Sequence, residues 1–210
     1  MKKQMILLLL LALVLTFCSS CSLPIVGDFF ENDKSLGKTN NTATTISKAM
    51  NDYLAKKNKE DFALHGVELT LNSDSNGLVK LYYSAESADV AEYSDIYVAE
   101  INSKTGYVER FEKAVYSEDG IEPYQLVKTT EAFDGASVPI DSGKAMSYGV
   151  RAFSGEPEFY YDYIQMMLSA PNGVEQYSVR FISMLNDKIY NCTVDAVSGT
   201  VLASSVEPLK

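Results

Sequence analysis

The sequence predicts an α+β protein built from two repeats, each with one helix packed on a four-stranded antiparallel sheet. Three observations indicate this fold class. A strand–turn–strand motif occurs twice, each copy follows a segment with helical spacing of apolar residues, and turn residues separate segments that alternate like strands.

The repeated motif spans residues 97–108 and returns at residues 190–201, an offset of 93. Each copy has the pattern of a strand, a tight turn and a second strand. A shorter upstream match, residues 48–50 with residues 144–146, has the similar offset of 96. The shared order and the near-equal spacing favour an internal duplication with one loop insertion or deletion.

The turn inside each motif contains residues suited to a tight reversal. Asn102 and Asp195 can accept backbone N–H groups where the turn begins. Gly106 and Gly199 can adopt the positive φ that closes it. We therefore expect the same turn at both places.

Each repeat is predicted to begin with a helix. In the first helix Thr44 or Thr45 can cap the N-terminus, and in the second Ser142 is the expected cap. Apolar residues recur on one face of each segment. These faces comprise Ile46, Ala49, Met50, Tyr53 and Leu54 in the first helix, and Ala145, Met146, Val150 and Phe153 in the second.

Four strands are expected after each helix, with Asn-Gly turns at residues 76–77 and 172–173. One helix covers only one face of a sheet, so the other face of each sheet is expected to be partly open. The predicted strands are residues 64–71, 78–85, 96–101 and 107–116 in the first repeat, and 158–169, 174–185, 188–195 and 200–205 in the second.

The N-terminus has the features of an export signal. Lys2 and Lys3 precede an uncharged run at residues 5–17, which suits a signal-peptide core and is shorter than the roughly 20 apolar residues of a membrane span. The small residues before Cys21 resemble the bacterial lipobox, with Cys18 at the position where that motif prefers Leu. The resemblance implies lipidation of Cys21 and attachment to the extracytoplasmic side of the cell membrane. An ordinary secretory signal is the alternative.

Removal of residues 1–20 as the signal peptide leaves four predicted parts. These are the lipidated cysteine and tether at residues 21–41, a repeat at 42–116, a linker at 117–139 and a repeat at 140–210. The full chain has a net charge of −10, and loss of the basic signal makes it more negative. Phosphate backbones repel such a chain, which argues against nucleic acid as a partner.

The sequence offers no recognisable catalytic or metal-binding set. His65 is the single histidine, whereas zinc sites and Ser-His-Asp systems need several partners. Cys192 lies in an apolar-alternating stretch and is interpreted as a buried strand cysteine. Residues 72–77 imitate the start of a calcium loop, but Tyr83 stands where that loop requires a carboxylate. No metal, cofactor or enzymatic activity is therefore expected.

An aromatic cluster at residues 159–163 supplies the candidate partner-binding residues Tyr160, Tyr161 and Tyr163. On a strand, Tyr161 and Tyr163 would face one way and Tyr160 the other. The simpler interpretation places one set in the core and the other in an ordinary cross-strand pair. The functional interpretation is an exposed aromatic platform for a peptide or protein.

The helix-then-strand order and the motif Tyr-x-x-x-Ile/Val-Asn/Asp-x-x-Thr/Ser-Gly-x-Val resemble the PepSY domain over residues 42–116 and 140–210. That family occurs in peptidase propeptides and in exported or membrane-tethered bacterial proteins. The resemblance implies binding or peptidase inhibition, with an extracytoplasmic protein or peptidase as the partner. Tandem folds similar to the beta-lactamase inhibitor protein are a second structural resemblance. The alternative function is an extracytoplasmic enzyme with a carboxylate and tyrosine site between the repeats.

Overall fold

The computed structural model describes residues 42–57, 61–72, 78–85, 95–103 and 105–209. Its described strands form an antiparallel sheet in the order β4-β3-β2-β1-β6-β7-β8-β9, with β5 paired to β6 outside this path. The strand bounds are β1 Phe62–Asn72, β2 Leu78–Ala85, β3 Ile96–Asn102, β4 Val108–Lys113, β5 Thr130–Glu131, β6 Tyr163–Pro171, β7 Gln176–Ser183, β8 Lys188–Asp195 and β9 Val201–Pro208.

The predicted fold class of two repeats, each with its own four-stranded sheet, is wrong. Strands β1 and β6 pair directly over Gly66↔Ser169 to Asn72↔Tyr163, so strands from both halves of the chain form one continuous sheet. The physical reason is that two separate sheets would leave both strands with unpaired backbone groups at an edge. Pairing β1 with β6 satisfies those groups.

The sheet has a helix face, on which α1 (Ala43–Lys56) and α4 (Ser142–Ala152) pack. Strand residues that point to this face form the main core, because successive side chains alternate between the two faces. The fully buried members of this core include Ile46 and Met50 from α1 and Leu69, Leu168 and Phe181 from the sheet.

The predicted caps of the long helices need correction. Thr42, rather than Thr44 or Thr45, accepts the backbone N–H of Thr45 at the start of α1. Asp141, rather than Ser142, caps α4. Ser142 instead accepts the Ala43 N–H at 3.0 Å and so joins the N-terminal ends of the two helices.

The segment predicted as a linker, residues 117–139, contains regular structure. Helix α2 (Tyr116–Asp119), helix α3 (Glu122–Thr129) and strand β5 occupy much of it. Helix α3 packs on β1, β2 and β3. Leu126 of α3 lies so close over Gly66 that a Cβ at residue 66 would come within 2.5 Å of it. Because Gly66 points away from the main core, α3 covers part of the second face of the sheet.

The two motif turns have the predicted geometry. Gly106 and Gly199 have φ values of 71° and 75°. Their N–H groups donate to the carbonyls of Asn102 and Asp195 at 2.8 and 2.9 Å. The Asn172-Gly173 hairpin also has positive φ at both residues, which confirms that turn. The turn predicted at residues 76–77 lies outside the described residues.

Within the described part of the chain, none of the helices has the length and apolar character needed to span a membrane.

Candidate binding surface

The second face of β6–β9 carries no described helix and is called the open surface here. Residues that pair across β6, β7 and β8 lie in rows on this surface. Two such rows are Gln165↔Arg180↔Asn191 and Met167↔Ser178↔Thr193. Paired residues point to the same face of an antiparallel sheet. The open surface therefore follows from strand register.

Polar side chains dominate the open surface. Ser178 and Arg180 are exposed, and the Arg180 guanidinium donates to Gln165 Oε1 at 3.1 Å. Further along, Asn191 Nδ2 donates to Glu207 Oε1 at 3.1 Å. Met167 and Ile182 on the same face are only partly covered. Non-obligate protein interfaces have a similar mixture of polar and apolar groups, which is also that of an ordinary protein surface.

A groove of about 490 Å³ runs between α3 and the open surface, across the β1–β6 pairing. Below α3 the buried Tyr82 hydroxyl donates a hydrogen bond to the carboxylate of Glu68. Burial, followed by the charge and hydrogen bond of Glu68, holds the pKa of Tyr82 far above its ordinary value. Tyr82 is therefore a neutral donor here. The groove is lined by Glu68, Tyr82, Glu122, Gln125, Leu126, Thr129, Gln165, Met166, Met167, Ser178 and Arg180.

The three predicted tyrosines occupy three different environments. Tyr163 begins β6, pairs with Ile182 on the open surface and is 45% exposed. Tyr160 is 48% exposed in the segment before β6, and its hydroxyl bonds the Asp162 carboxylate, which raises the Tyr160 pKa. Tyr161 is half-buried against Phe181 of the main core. The structure therefore leaves Tyr160 and Tyr163 available for contact and gives Tyr161 a packing role.

The predicted strand at residues 158–169 begins five residues later than expected, at Tyr163. Hydrogen bonds hold the preceding segment against the β7–β8 hairpin. Glu158 O accepts from Asn186 Nδ2 at 2.6 Å and from the Tyr190 hydroxyl at 3.2 Å. These contacts replace strand pairing for this segment.

The tip of the β7–β8 hairpin adds two exposed apolar residues, which the sequence interpretation missed. Met184 and Leu185 are 57% and 76% exposed. The Met184 N–H donates to Asp162 Oδ2 at 2.8 Å, which places this tip beside the segment that carries Tyr160. The sequence does contain a signal for this exposure, because Met184 and Leu185 stand immediately before Asn186 and Asp187, which are typical turn residues.

His65 and Cys192 are both buried within the fold. His65 Nε2 lies 3.0 Å from Ser84 Oγ, and its Nδ1 lies 3.2 Å from Thr130 O. These contacts join β1 to β2 and to β5. Cys192 lies on β8 as predicted, and burial raises its thiol pKa to about 11. A thiol with that pKa is mostly protonated at neutral pH and is a weak nucleophile.

The buried imidazole predicts a pH dependence of stability. Burial lowers the pKa of His65, and the hydrogen bond to Thr130 offsets this only in part. The unfolded chain, with a histidine pKa of about 6.5, then binds more protons than the folded chain. Stability is therefore expected to fall as the pH drops below about 6.5.

Urea unfolding at pH 7.5 and pH 5.5 measures this loss, and His65→Gln should reduce it. Because the chain has one histidine, its ring signals in an NMR titration report the folded pKa directly. A folded pKa above 6.5, or an equal pH dependence in the variant, would contradict the expectation.

Two predicted features fall outside the described residues. These are the lipidation site Cys21 and residues 73–77 of the calcium-like loop. In the described residues, no group of three or more His, Cys, Asp or Glu side chains is arranged to hold a metal ion.

Comparisons with known proteins give one structural similarity. No protein-family model and no curated protein matches the sequence. Among solved structures, a candidate lipoprotein (CD1622) from Clostridium difficile 630 is similar, with 16% identity and a TM-score of 0.48. The similarity covers 84% of this chain and 100% of that chain. The PepSY resemblance stays a prediction from the sequence motif.

Proposed function

We propose that this protein is a lipoprotein, anchored on the extracytoplasmic side of the cell membrane through Cys21, whose domain binds a partner protein without catalysis. The observation that carries the proposal is the open surface, where four paired strands carry no described helix and present exposed side chains that include Tyr163, Ser178 and Arg180. An antiparallel sheet can keep one face solvated, and a solvated face is accessible to a partner. Before Cys21, two lysines are followed by an uncharged run and then by small residues. This is the order of a signal peptide, and it supports the proposed anchor.

The attachment point of the tether is compatible with this use. The described chain enters at Thr42 and continues into α1, which packs on the helix face. The open surface lies on the other side of the sheet. In this proposal residues 21–41 serve as the tether, so the attachment joins the domain at α1, on the side of the sheet opposite to the open surface.

The chemistry of the surface favours a protein as the partner. The open surface offers tyrosine, methionine and arginine, which are enriched at protein interfaces. The strongly acidic chain argues against nucleic acid. The PepSY-like motif supports a peptidase of the extracytoplasmic space as the partner class, with inhibition as the consequence of binding.

The first test replaces the exposed tyrosine of the open surface. Tyr163→Ser should weaken partner capture at least tenfold, because loss of an aromatic side chain that is buried in an interface can cost about 2 kcal/mol or more. Capture is measured by affinity purification of the full chain from membranes of its own cells. Tyr107→Ser is the matched control, because Tyr107 is 49% exposed and lies at the turn between β3 and β4.

Both variants should unfold close to the wild-type temperature, since exposed side chains contribute little to stability. Equal capture by Tyr163→Ser and Tyr107→Ser would show that the open surface is not where the partner binds. Tyr160→Ser, made in parallel, tests whether the contact extends to the segment before β6.

An enzyme remains the second candidate function, and the groove is the observation that favours it. Glu68, Tyr82 and Glu122 line the groove together. A carboxylate in a groove can act as a general acid or base, with Tyr82 as a neutral hydrogen-bond donor beside it. Glu68→Gln separates the two candidates. If the protein is a binding module, Glu68→Gln should leave partner capture unchanged. If the protein is an enzyme, its extracytoplasmic activity should be lost in Glu68→Gln.

The anchor is tested at its own residue. Cys21→Ala should release the protein from membranes into the soluble fraction, whereas Cys18→Ala should leave it membrane-bound because Cys18 is removed with the signal. Membrane fractionation and mass spectrometry of the mature N-terminus measure both. A lipid on Cys18, or an unmodified secreted product, would contradict the proposed anchor.

A further inference from the structure

The two outer strands of the described sheet are protected to different degrees. Strand β4 carries four charged residues in six, and its Arg110 binds Asp119 of α2. Charge and an adjoining helix are the means by which proteins protect a sheet edge from other strands. Strand β9 is protected mainly at its two ends, by a bulge at Leu202 and by Pro208. It has one charged residue in eight, Glu207, and residues 202–208 are exposed. Among the described residues, no strand pairs with its outer side.

The outward backbone groups of β9 follow from its register with β8. The Leu209 N–H donates to the Asp187 carbonyl at 2.8 Å, and hydrogen-bonded pairs alternate along antiparallel strands. Residues 203, 205 and 207 therefore bond β8. Ser204 and Val206 direct their N–H and C=O groups away from the sheet. Pro208 occupies the next outward position, where its missing N–H costs no bond to β8.

The exposed part of β9 is self-complementary when a second copy runs antiparallel to it. A β-bulge at Leu202 separates the pairs Thr193↔Ala203 and Val194↔Val201, so the regular part of β9 begins at Ala203. With Ser204 opposite Ser204, Ala203 meets Ser205 of the second copy, and the bulged Leu202 lies next to Val206. Leu202 and Val206 are 53% and 42% exposed, so their contact would cover apolar surface. Glu207 lies three residues from Ser204, so the Glu207 side chains of the two copies do not oppose each other.

We propose that β9 is a dimerisation edge at which two copies of this chain pair antiparallel about Ser204. The contact is isologous and closed, since each copy uses the same residues. It continues the sheet across both copies and sets their open surfaces side by side. The area of a single strand pair is small for a stable interface. This step rests on the anchor proposed above, which would raise the effective concentration of one copy for another and favour the pair.

Intermolecular disulfide formation tests the register. In a hydrogen-bonded antiparallel pair the opposed Cα atoms lie about 5.5 Å apart, within the range that a disulfide spans. Ser204→Cys in the full-length, membrane-anchored protein should give a dimer on a non-reducing gel that a reductant separates. Ser205→Cys is the matched control, because two copies of residue 205 would lie about 7–8 Å apart on the diagonal.

The wild-type protein, which has no added cysteine, shows how much dimer its own cysteines form. Circular dichroism checks that each variant is folded. Val206→Lys added to Ser204→Cys should decrease the dimer at least fivefold, because it places a charge against Leu202 of the second copy. A reducible dimer for Ser204→Cys and little for Ser205→Cys is the expected result. No dimer for folded Ser204→Cys, or equal dimer for both cysteine variants, would overturn the proposal.

Discussion

Phe181→Ala is expected to lower the free energy of unfolding by about 3–5 kcal/mol, the range for truncating a fully buried phenylalanine. Phe181 is fully buried on the helix face of β7. Its ring contacts those of Phe153, Phe159 and Tyr161, with centroids 5.1 to 6.2 Å apart. Truncation removes this buried area and leaves a cavity that the surrounding rings fill only in part.

Urea denaturation of the wild-type protein and of Phe181→Ala gives the difference in the free energy of unfolding. The comparison requires that both free energies fall with the same slope against urea concentration. Tyr116→Ala is the control, because Tyr116 is 66% exposed and its replacement should change stability by less than about 0.5 kcal/mol. Similar small effects for both variants would contradict the aromatic core between α4 and the sheet.

Arg110→Ala is expected to cost about 3 kcal/mol, because it leaves the carboxylate of Asp119 buried without its cation. The Asp119 side chain is only 2% exposed and binds the Arg110 guanidinium. Desolvation acts to raise the pKa of Asp119, but the hydrogen bonds from Arg110 and Val115 and the charge of Arg110 outweigh it, so the pKa is lowered. The ion pair therefore stabilises the fold above pH 4 and loses this effect as the carboxylate is protonated at lower pH.

A double-mutant cycle with Asp119→Asn measures the coupling between the two side chains. Lys113→Ala is the control, since its ion pair with Asp95 is exposed and should contribute about 0–1 kcal/mol. A cost for Arg110→Ala no larger than for Lys113→Ala would show that α2 is not held by this ion pair.

Local chemistry in the sequence predicts much of the secondary structure. The predicted strands at residues 78–85 and 188–195 agree with the structure at both ends. Gly106 and Gly199 adopt the positive φ that their turns require. These features are encoded within a few residues, where alternation and turn propensity are sufficient.

The arrangement of the strands could not be predicted in the same way. The pairing of β1 with β6 joins residues about 100 positions apart, and neither strand carries a local signal for its neighbour. Helix α3 was missed because it is short, although Pro123 in its first turn is a known helix-start signal. The predicted caps failed because Ser, Thr and Asp are all favourable N-cap residues, and more than one of them stands at the start of each helix.

The candidate site was predicted only in part. Tyr160 and Tyr163 are exposed and Tyr161 is not, a division that depends on where β6 begins. The open surface itself depends on the continuous sheet and on α3, neither of which the sequence interpretation contained. Arg180 and Ser178 therefore became candidates only from the structure.

Site-specific photocrosslinking tests most directly whether the open surface is the binding surface. A photoreactive amino acid is placed at Ser178, which is exposed in the middle of the open surface, or at Lys144, which is exposed on α4 of the helix face. Both full-length proteins are irradiated in membranes of the native cells. We expect one reproducible protein adduct from position 178 and none from position 144. The same adduct from position 144 alone, or no adduct from position 178 in folded, membrane-anchored protein, would contradict the account.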